Sequence, residues 1–246
     1  MKTNESLVQT GITVFDRRLG GLRRGELTVV ASGFGVGKST FLRNVALHAA
    51  VHLPLPHATA VFSLEMSRHK LLNRILMEEA GLLHGREYNG KVMAVIGTAL
   101  IEAPLFIDDR KLRSVHVIKN ILTELLGELA IRRLCLSLVV LDRLELVMPI
   151  NRRSPRPAAL SQIARELKSI AQDFHVAMVV SSMLRRRRAH NDVPVLDDIA
   201  GVPSLSEIAD TVILLQRNGL TACGILGKSR QSDTIGLRFP ITCACR

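Results

Sequence analysis

Short apolar, β-branched runs alternate along this chain with longer stretches whose apolar residues recur every three or four positions. Residues 26–32 (ELTVVAS) form a run of the first kind and lead into glycines, and residues 40–51 carry helical spacing. Residues 59–64 are the next apolar run, followed by a helical pattern over 67–80; residues 105–107 are short and apolar, and 115–129 have helical spacing again. Residues 136–141 are apolar apart from Ser137, the composition of a strand covered on both faces. Residues 160–174 read as a helix and 176–181 as a strand, with later strands at 211–215, 224–227 and 235–239. Residues 151–157 read as a loop from their prolines, and 185–194 from their unbroken charge. Strands alternating with helices require βαβ crossovers, so the predicted fold is α/β with a mostly parallel central sheet, to which the last strands add antiparallel pairings.

Composition narrows the class. With 246 residues, 47% of them hydrophobic, the chain can bury the core of one large domain and is not intrinsically disordered. Four cysteines are too few for a disulfide scaffold and point to a reducing compartment. The apolar stretch 46–62 is interrupted by His48, His52, Pro54, Pro56 and His57, so no transmembrane helix is expected, and the polar N-terminus lacks a signal-peptide core. These features predict a soluble, cytoplasmic protein with no membrane partner.

Charge adds a direction. Lys and Arg number 33 against 22 Asp and Glu, a formal net charge of +11. Between Asn151 and Asn191 lie nine Lys/Arg and only two acids, Glu166 and Asp173, which concentrates +7 of that balance in one stretch. Aromatic residues are 3%, with no Trp and one Tyr. A polyanion would therefore be held through phosphate contacts, which depend on salt and not on sequence, and not by base stacking.

The candidate chemistry begins at Ser32-Gly33-Phe34-Gly35-Val36-Gly37-Lys38-Ser39-Thr40, which follows a strand and opens a helix. Glycines at this spacing let backbone N–H groups turn inward around phosphates, and the helix N-terminus adds its dipole. Lys38 is placed to reach the β- and γ-phosphates and Ser39 to ligate Mg²⁺, which predicts ATP and Mg²⁺ as ligands held by Gly33, Phe34, Gly35, Val36, Gly37, Lys38, Ser39 and Thr40. Asp142 ends the buried run 136–141, so it emerges at the same sheet edge and can hold the Mg²⁺ water shell. Glu65, in Phe62-Ser63-Leu64-Glu65-Met66-Ser67, ends another strand. It can activate an attacking water or simply stabilise the start of the following helix, and the residues alone do not decide between these.

FSLEMS, the P-loop strand and Ala103-Pro104-Leu105-Phe106-Ile107-Asp108-Asp109 together resemble the RecA-like motor domain of DnaB-type replicative helicases. The opening Thr10-Gly11-Ile12 through Leu27, the segment Ile163-Ala164-Arg165-Glu166-Leu167-Lys168 and Pro194-Val195-Leu196-Asp197-Asp198-Ile199 are similar too, and SGFGVGKSTFLR is also similar to phage primase-helicases of the same superfamily. The resemblance implies a three-layer RecA-like domain over residues 10–240, between a short arm (1–9) and a tail (241–246), with no collar domain ahead of it. It implies an ATP-hydrolysing motor that translocates on single-stranded DNA as a homo-oligomeric ring, commonly a hexamer, with a primase, a loader or a separate collar protein as partners. Glu65 becomes the catalytic base, and Lys228 and Arg230, in Gly227-Lys228-Ser229-Arg230, become the cations that reach a neighbouring subunit's ATP.

Two segments depart from the family pattern. The polar sensor, commonly Gln, aligns with Ser182, whose reach is shorter, and the segment usually reading Arg-Glu-Ser-Gly is Ala200-Gly201-Val202-Pro203, without charge. Arg185, Arg186, Arg187 and Arg188 follow the sensor strand, and Arg152, Arg153 and Arg156 follow the Asp142 strand, so both basic loops are expected at one sheet edge as a DNA-contacting surface. The departures keep open a different class: an ATP-binding assembly or regulatory module that binds a helicase or DNA and hydrolyses slowly. A KaiC- or RadA-like ATPase fits less well because of FSLEMS. Cys243 and Cys245 lack partners at zinc spacing, His48 and His52 read as a pair near a helix C-terminus, and Asp108-Asp109 reads as a turn or cap before a metal site.

Overall fold

The computed structural model describes residues 6–53, 56–81, 87, 89–111, 114–151, 153–184, 193–199, 203–219 and 221–241. In chain order the elements are β1 (Leu7–Val8), α1 (Thr13–Leu19), β2 (Leu22–Arg23), β3 (Leu27–Ser32), α2 (Lys38–Val51), β4 (His57–Ser63), α3 (Arg68–Glu79), α4 (Gly90–Glu102), β5 (Leu105–Asp108), α5 (Val115–Ile131), β6 (Cys135–Asp142), α6 (Arg156–Asp173), β7 (Ala177–Met183), α7 (Pro203–Ile208), β8 (Thr211–Asn218), β9 (Thr221–Ser229) and β10 (Arg238–Pro240). β1 and β2 form a small antiparallel pair, while eight strands form one sheet in the order β10-β9-β8-β3-β7-β6-β4-β5. β8, β3, β7, β6, β4 and β5 run parallel, and β9 and β10 join antiparallel at one end.

The two-residue period of the strands builds two cores. Val29 and Ala31 face a cluster with Ile118, Leu122 and Leu129 of α5 and Ile163 and Leu167 of α6. Val30, between them, faces Phe41, Leu42 and Val45 of α2 and Phe15 of α1. Side chains alternate across a strand, so each face of β3 needs its own helical cover, and the three-layer α/β architecture follows from the sequence pattern. No helix among the described residues is long and apolar enough to cross a membrane.

Several boundaries differ from the sequence expectation. Leu7 and Val8, expected in a free arm, pair with β2, and Val8 is buried. α6 begins at Arg156, inside the stretch read as a loop, because Pro157 occupies the first turn, where its missing N–H costs nothing. The last strand begins at Arg238 and not at Ile235: Gly236 sits at φ +86° in a turn, and Ile235 is exposed. The sequence pattern does not mark α4. This helix is apolar in composition but none of its residues is fully buried: Leu100 packs partly against the core, while Val92, Val95 and Ile101 are exposed and blur the inward stripe. Residues 185–192, which hold most of the basic loop after β7, lie outside the described residues, as do the Cys243–Cys245 pair and residues 200–202.

Candidate nucleotide-binding site

The parallel strands end at one edge, and Lys38, Ser39, Glu65 and Asp142 collect there. β3 ends at Ser32, opposite Met183 of β7, while β4 ends at Ser63, opposite Asp142 of β6. Between β3 and α2 the chain turns through Gly35 (φ +72°) and Gly37 (φ +121°), conformations that residues with a Cβ rarely adopt. A Cβ on Gly37 would also lie 2.8 Å from Ile241 Cδ1, the movable end of a side chain, so it is the backbone conformation that requires glycine there. Phe34 stands at its tip, 91% exposed.

Lys38 opens α2 and folds back over the turn. Its ammonium donates to Ser32 O at 3.1 Å, Ser32 Oγ at 3.1 Å and Gly33 O at 3.2 Å, with Met183 Sδ at 3.2 Å. Burial lowers its proton affinity below that of an ordinary lysine, while Asp142 and Glu145 act in the opposite sense. Ser39 Oγ donates to Asp142 Oδ2 at 2.7 Å, and Ser181 Oγ donates to Asp142 Oδ1 at 2.5 Å. The hydroxyl and carboxylate expected to share a cation are thus neighbours, and hard oxygen donors of this kind suit Mg²⁺. Across the cleft Glu65 is half exposed, with Arg143 Nε 3.7 Å from its Oε2. A cleft of about 760 Å³ contains Gly35, Gly37, Lys38, Ser39, Glu65, Asp142, Arg143 and Met183 in its lining.

Ser182 is not among the residues that line it. The side chain is 1% exposed, and its hydroxyl donates to Glu145 Oε1 at 2.7 Å, beside Met183 N at 2.9 Å to the same oxygen. Alternation along β7 turns Ser182 away from the glycine turn and presents Met183. Sequence reasoning misses Glu145 and Arg143. They are delivered by a 3-10 turn, Leu144–Leu146, that follows β6 and brings Glu145 back beneath β7. The available signal is the spacing Asp142-Arg143-Leu144-Glu145, in which charge interrupts an apolar run directly after a buried strand.

Lys228 and Arg230 lie away from this cleft, both facing the C-terminal end of α7. Lys228 Nζ donates to Ser206 O at 2.5 Å, Ala209 O at 2.8 Å and Glu207 O at 3.2 Å. Arg230 donates to Glu207 O at 2.9 Å and lies 3.4 Å from Asp210 Oδ1. Burial, then the charge of Arg230, lowers the affinity of the Lys228 ammonium for its proton. Asp210 is itself buried and accepts from Lys168 Nζ at 2.7 Å and from Leu27 N at 3.0 Å, which ties the pair to the start of β3.

Of the expected DNA-contacting residues, Arg153 and Arg156 are described and exposed, beyond β6, with Arg156 donating to Glu145 O at 2.7 Å; Arg152 and Arg185 to Arg188 lie outside the described residues. Asp109 Oδ2 accepts from Arg68 N at 2.7 Å at the start of α3, as a cap does. His48 and His52 stack with ring centroids 5.1 Å apart, and burial, then His52, pushes the His48 ring below its ordinary value. No cluster of three His, Cys, Asp or Glu suited to a metal occurs among the described residues.

The family model for the DnaB-like helicase C terminal domain matches residues 8–235. The replicative DNA helicase DnaB of Leifsonia xyli subsp. xyli is 31% identical over 221 residues, which are 85% of this chain and 46% of that protein. The replicative DNA helicase DnaC of Bacillus subtilis is 30% identical over 223 residues, 86% of this chain and 47% of that one. The chain therefore spans about half the length of the curated relatives it matches. Among solved structures, one described as an ATPase domain superposes with a TM-score of 0.80 at 21% identity, covering 94% of this chain and 86% of that one. A DnaB-like replicative helicase studied with primase gives the same TM-score and identity over 60% of its chain, and both likenesses bear on the fold.

Proposed function

Since the chain belongs to the family of DnaB-like helicase C-terminal domains, we propose that it is an ATP-hydrolysing motor that assembles as a ring, commonly of six copies, and translocates on single-stranded DNA in the cytoplasm. The observation that carries this reading is the convergence of Lys38, Ser39, Asp142 and Glu65 on one cleft at the strands' C-terminal edge. The slow-hydrolysing assembly module left open by the sequence is not favoured, because the helicase family match spans residues 8–235.

The chemistry is phosphoryl transfer to water. Backbone N–H groups of residues 33–39 and the Lys38 ammonium hold the β- and γ-phosphates. Ser39 and Asp142 would hold Mg²⁺, which neutralises charge on the phosphate oxygens when bound. Glu65 orients a water and takes its proton as the oxygen attacks the γ-phosphorus, and ADP leaves. Lys228 and Arg230 serve a neighbouring copy's phosphates, which requires them to exchange the carbonyls of α7 for that ligand. Arg152, Arg153, Arg156 and Arg185 to Arg188 hold the DNA backbone, and a primase, loader or collar protein completes the machine. The test is the ATPase rate with and without single-stranded DNA, measured alongside particle mass. A stimulated rate in a multi-subunit particle is expected; a monomer indifferent to DNA overturns the reading.

A further inference from the structure

Arg143 is a strongly basic side chain of the cleft that the chemistry above leaves unused. Its backbone is fixed from both sides. Asp142 precedes it at the end of β6, and Arg143 O accepts from Leu146 N at 3.1 Å, closing the 3-10 turn whose Leu144 is fully buried. The side chain therefore enters the cleft from a rigid base, alongside Lys38, Ser39 and Glu65.

Its contacts there are incomplete. Arg143 Nε is buried and has no hydrogen-bond partner among the described residues, and Glu65 Oε2 is 3.7 Å away, beyond hydrogen-bond reach. An ion pair this loose, with a half-exposed carboxylate, contributes little by itself. A guanidinium with an unused buried donor is costly unless a further acceptor completes it. Arg143 also adds its charge to that of Lys38 in the same cleft. Lys70, Arg74, Lys111 and Arg217 line the cleft as well, so it gains most from an anion that carries several negative oxygens, and the planar fork of the Arg143 guanidinium beside Lys38 suits a terminal phosphate.

We propose that Arg143 binds the terminal phosphate of a nucleoside triphosphate from within the same subunit, its guanidinium passing from the Glu65 carboxylate to that phosphate, so that the cleft prefers triphosphate to diphosphate. The exchange also releases Glu65 to face water at the moment the triphosphate is seated. This role rests on the nucleotide-binding reading of the cleft and deepens it. It is distinct from the inter-subunit role of Lys228 and Arg230, which come from another edge of the fold.

The test is equilibrium binding of AMP-PNP and of ADP, each with Mg²⁺, to the wild-type chain, Arg143→Gln and Arg143→Lys. Arg143→Gln is expected to lose AMP-PNP affinity by about tenfold or more, the scale of a charge-assisted hydrogen bond, and to keep ADP affinity within about twofold. Retained ADP binding also reports that the cleft is folded. Arg143→Lys, which keeps the charge without the fork, is expected to fall between. If Arg143→Gln binds neither nucleotide, the ratio of the two affinities in Arg143→Lys decides: a ratio shifted toward ADP supports the role, and an unchanged ratio overturns it. Equal losses for both nucleotides, or no loss for either, make Arg143 a partner of Glu65 alone and overturn the proposal while leaving the ATPase reading intact. A wild-type chain that binds neither nucleotide overturns both.

Discussion

Ser39 and Asp142 stand 103 positions apart in the chain, yet the Ser39 hydroxyl donates to the Asp142 carboxylate at 2.7 Å. That bond joins the first turn of α2 to the end of β6 and defines the floor of the cleft. Ser181 holds the other oxygen of Asp142, so the carboxylate is fixed from two sides at once.

Lys38→Ala is expected to abolish ATP turnover. The ammonium is held against the turn by two carbonyls and the Ser32 hydroxyl, so its removal leaves the turn without its own side-chain cation. Purified variant and wild type are compared for ATPase activity and circular dichroism; turnover at the wild-type rate in the folded variant contradicts the assignment.

Glu65→Gln keeps size and hydrogen bonding but cannot take a proton. ATP affinity is expected to stay near wild type while kcat falls by ~10²-fold or more, the scale of a general base. Single-turnover kinetics separate the two quantities. An unchanged kcat would return Glu65 to the part of a helix-start acid.

Lys228→Met tests the hydrogen bonds at α7. Ser206 O and Ala209 O then lose the ammonium while Glu207 O keeps Arg230, which is expected to lower unfolding stability by about 1–2 kcal/mol, the range for a hydrogen bond to a charged group that is partly solvated. Urea denaturation reads it, and a midpoint equal to wild type means that the three bonds carry no weight in solution.

Replacing Arg185 to Arg188 with alanine is expected to weaken single-stranded DNA binding across all sequences. The slope of log affinity against log salt becomes shallower by about 0.7 for each phosphate that the variant no longer neutralises. Titrations at several salt concentrations check this, and an unaltered slope makes the run a solvated face.

The fold is legible in the sequence wherever periodicity and burial agree. β3, β6 and β7 are apolar runs covered on both faces, and α5 carries a stripe of Ile118, Leu122, Leu125 and Leu129. The glycine turn and Asp142 are legible because their spacing is local and a buried strand must end at a sheet edge. α4 is not, since none of its residues is fully buried and its contact with the core runs through the partly buried Leu100. The neighbourhood of Ser182 is not legible either: its orientation depends on the parity of β7, and its partner Glu145 on a single 3-10 turn that no apolar period announces. The i, i+2 spacing of Lys228 and Arg230 puts them on one face, yet only the placement of α7 reveals the carbonyls that face meets.

Mixing two inactive variants shows whether ATP is hydrolysed in a cleft that a neighbouring copy completes. Arg230→Ala subunits keep Lys38 but supply no guanidinium to a neighbour; Lys38→Ala subunits supply it but hold phosphate poorly. Each alone is expected to be nearly inactive, since a trans arginine can be worth roughly 10³ or more in rate. Co-assembled with single-stranded DNA, interfaces that pair an intact Lys38 with an intact Arg230 are expected to restore part of the wild-type ATPase rate. Normal hydrolysis by Arg230→Ala alone, under conditions where the wild type assembles, would mean that no arginine from a neighbouring copy completes the cleft.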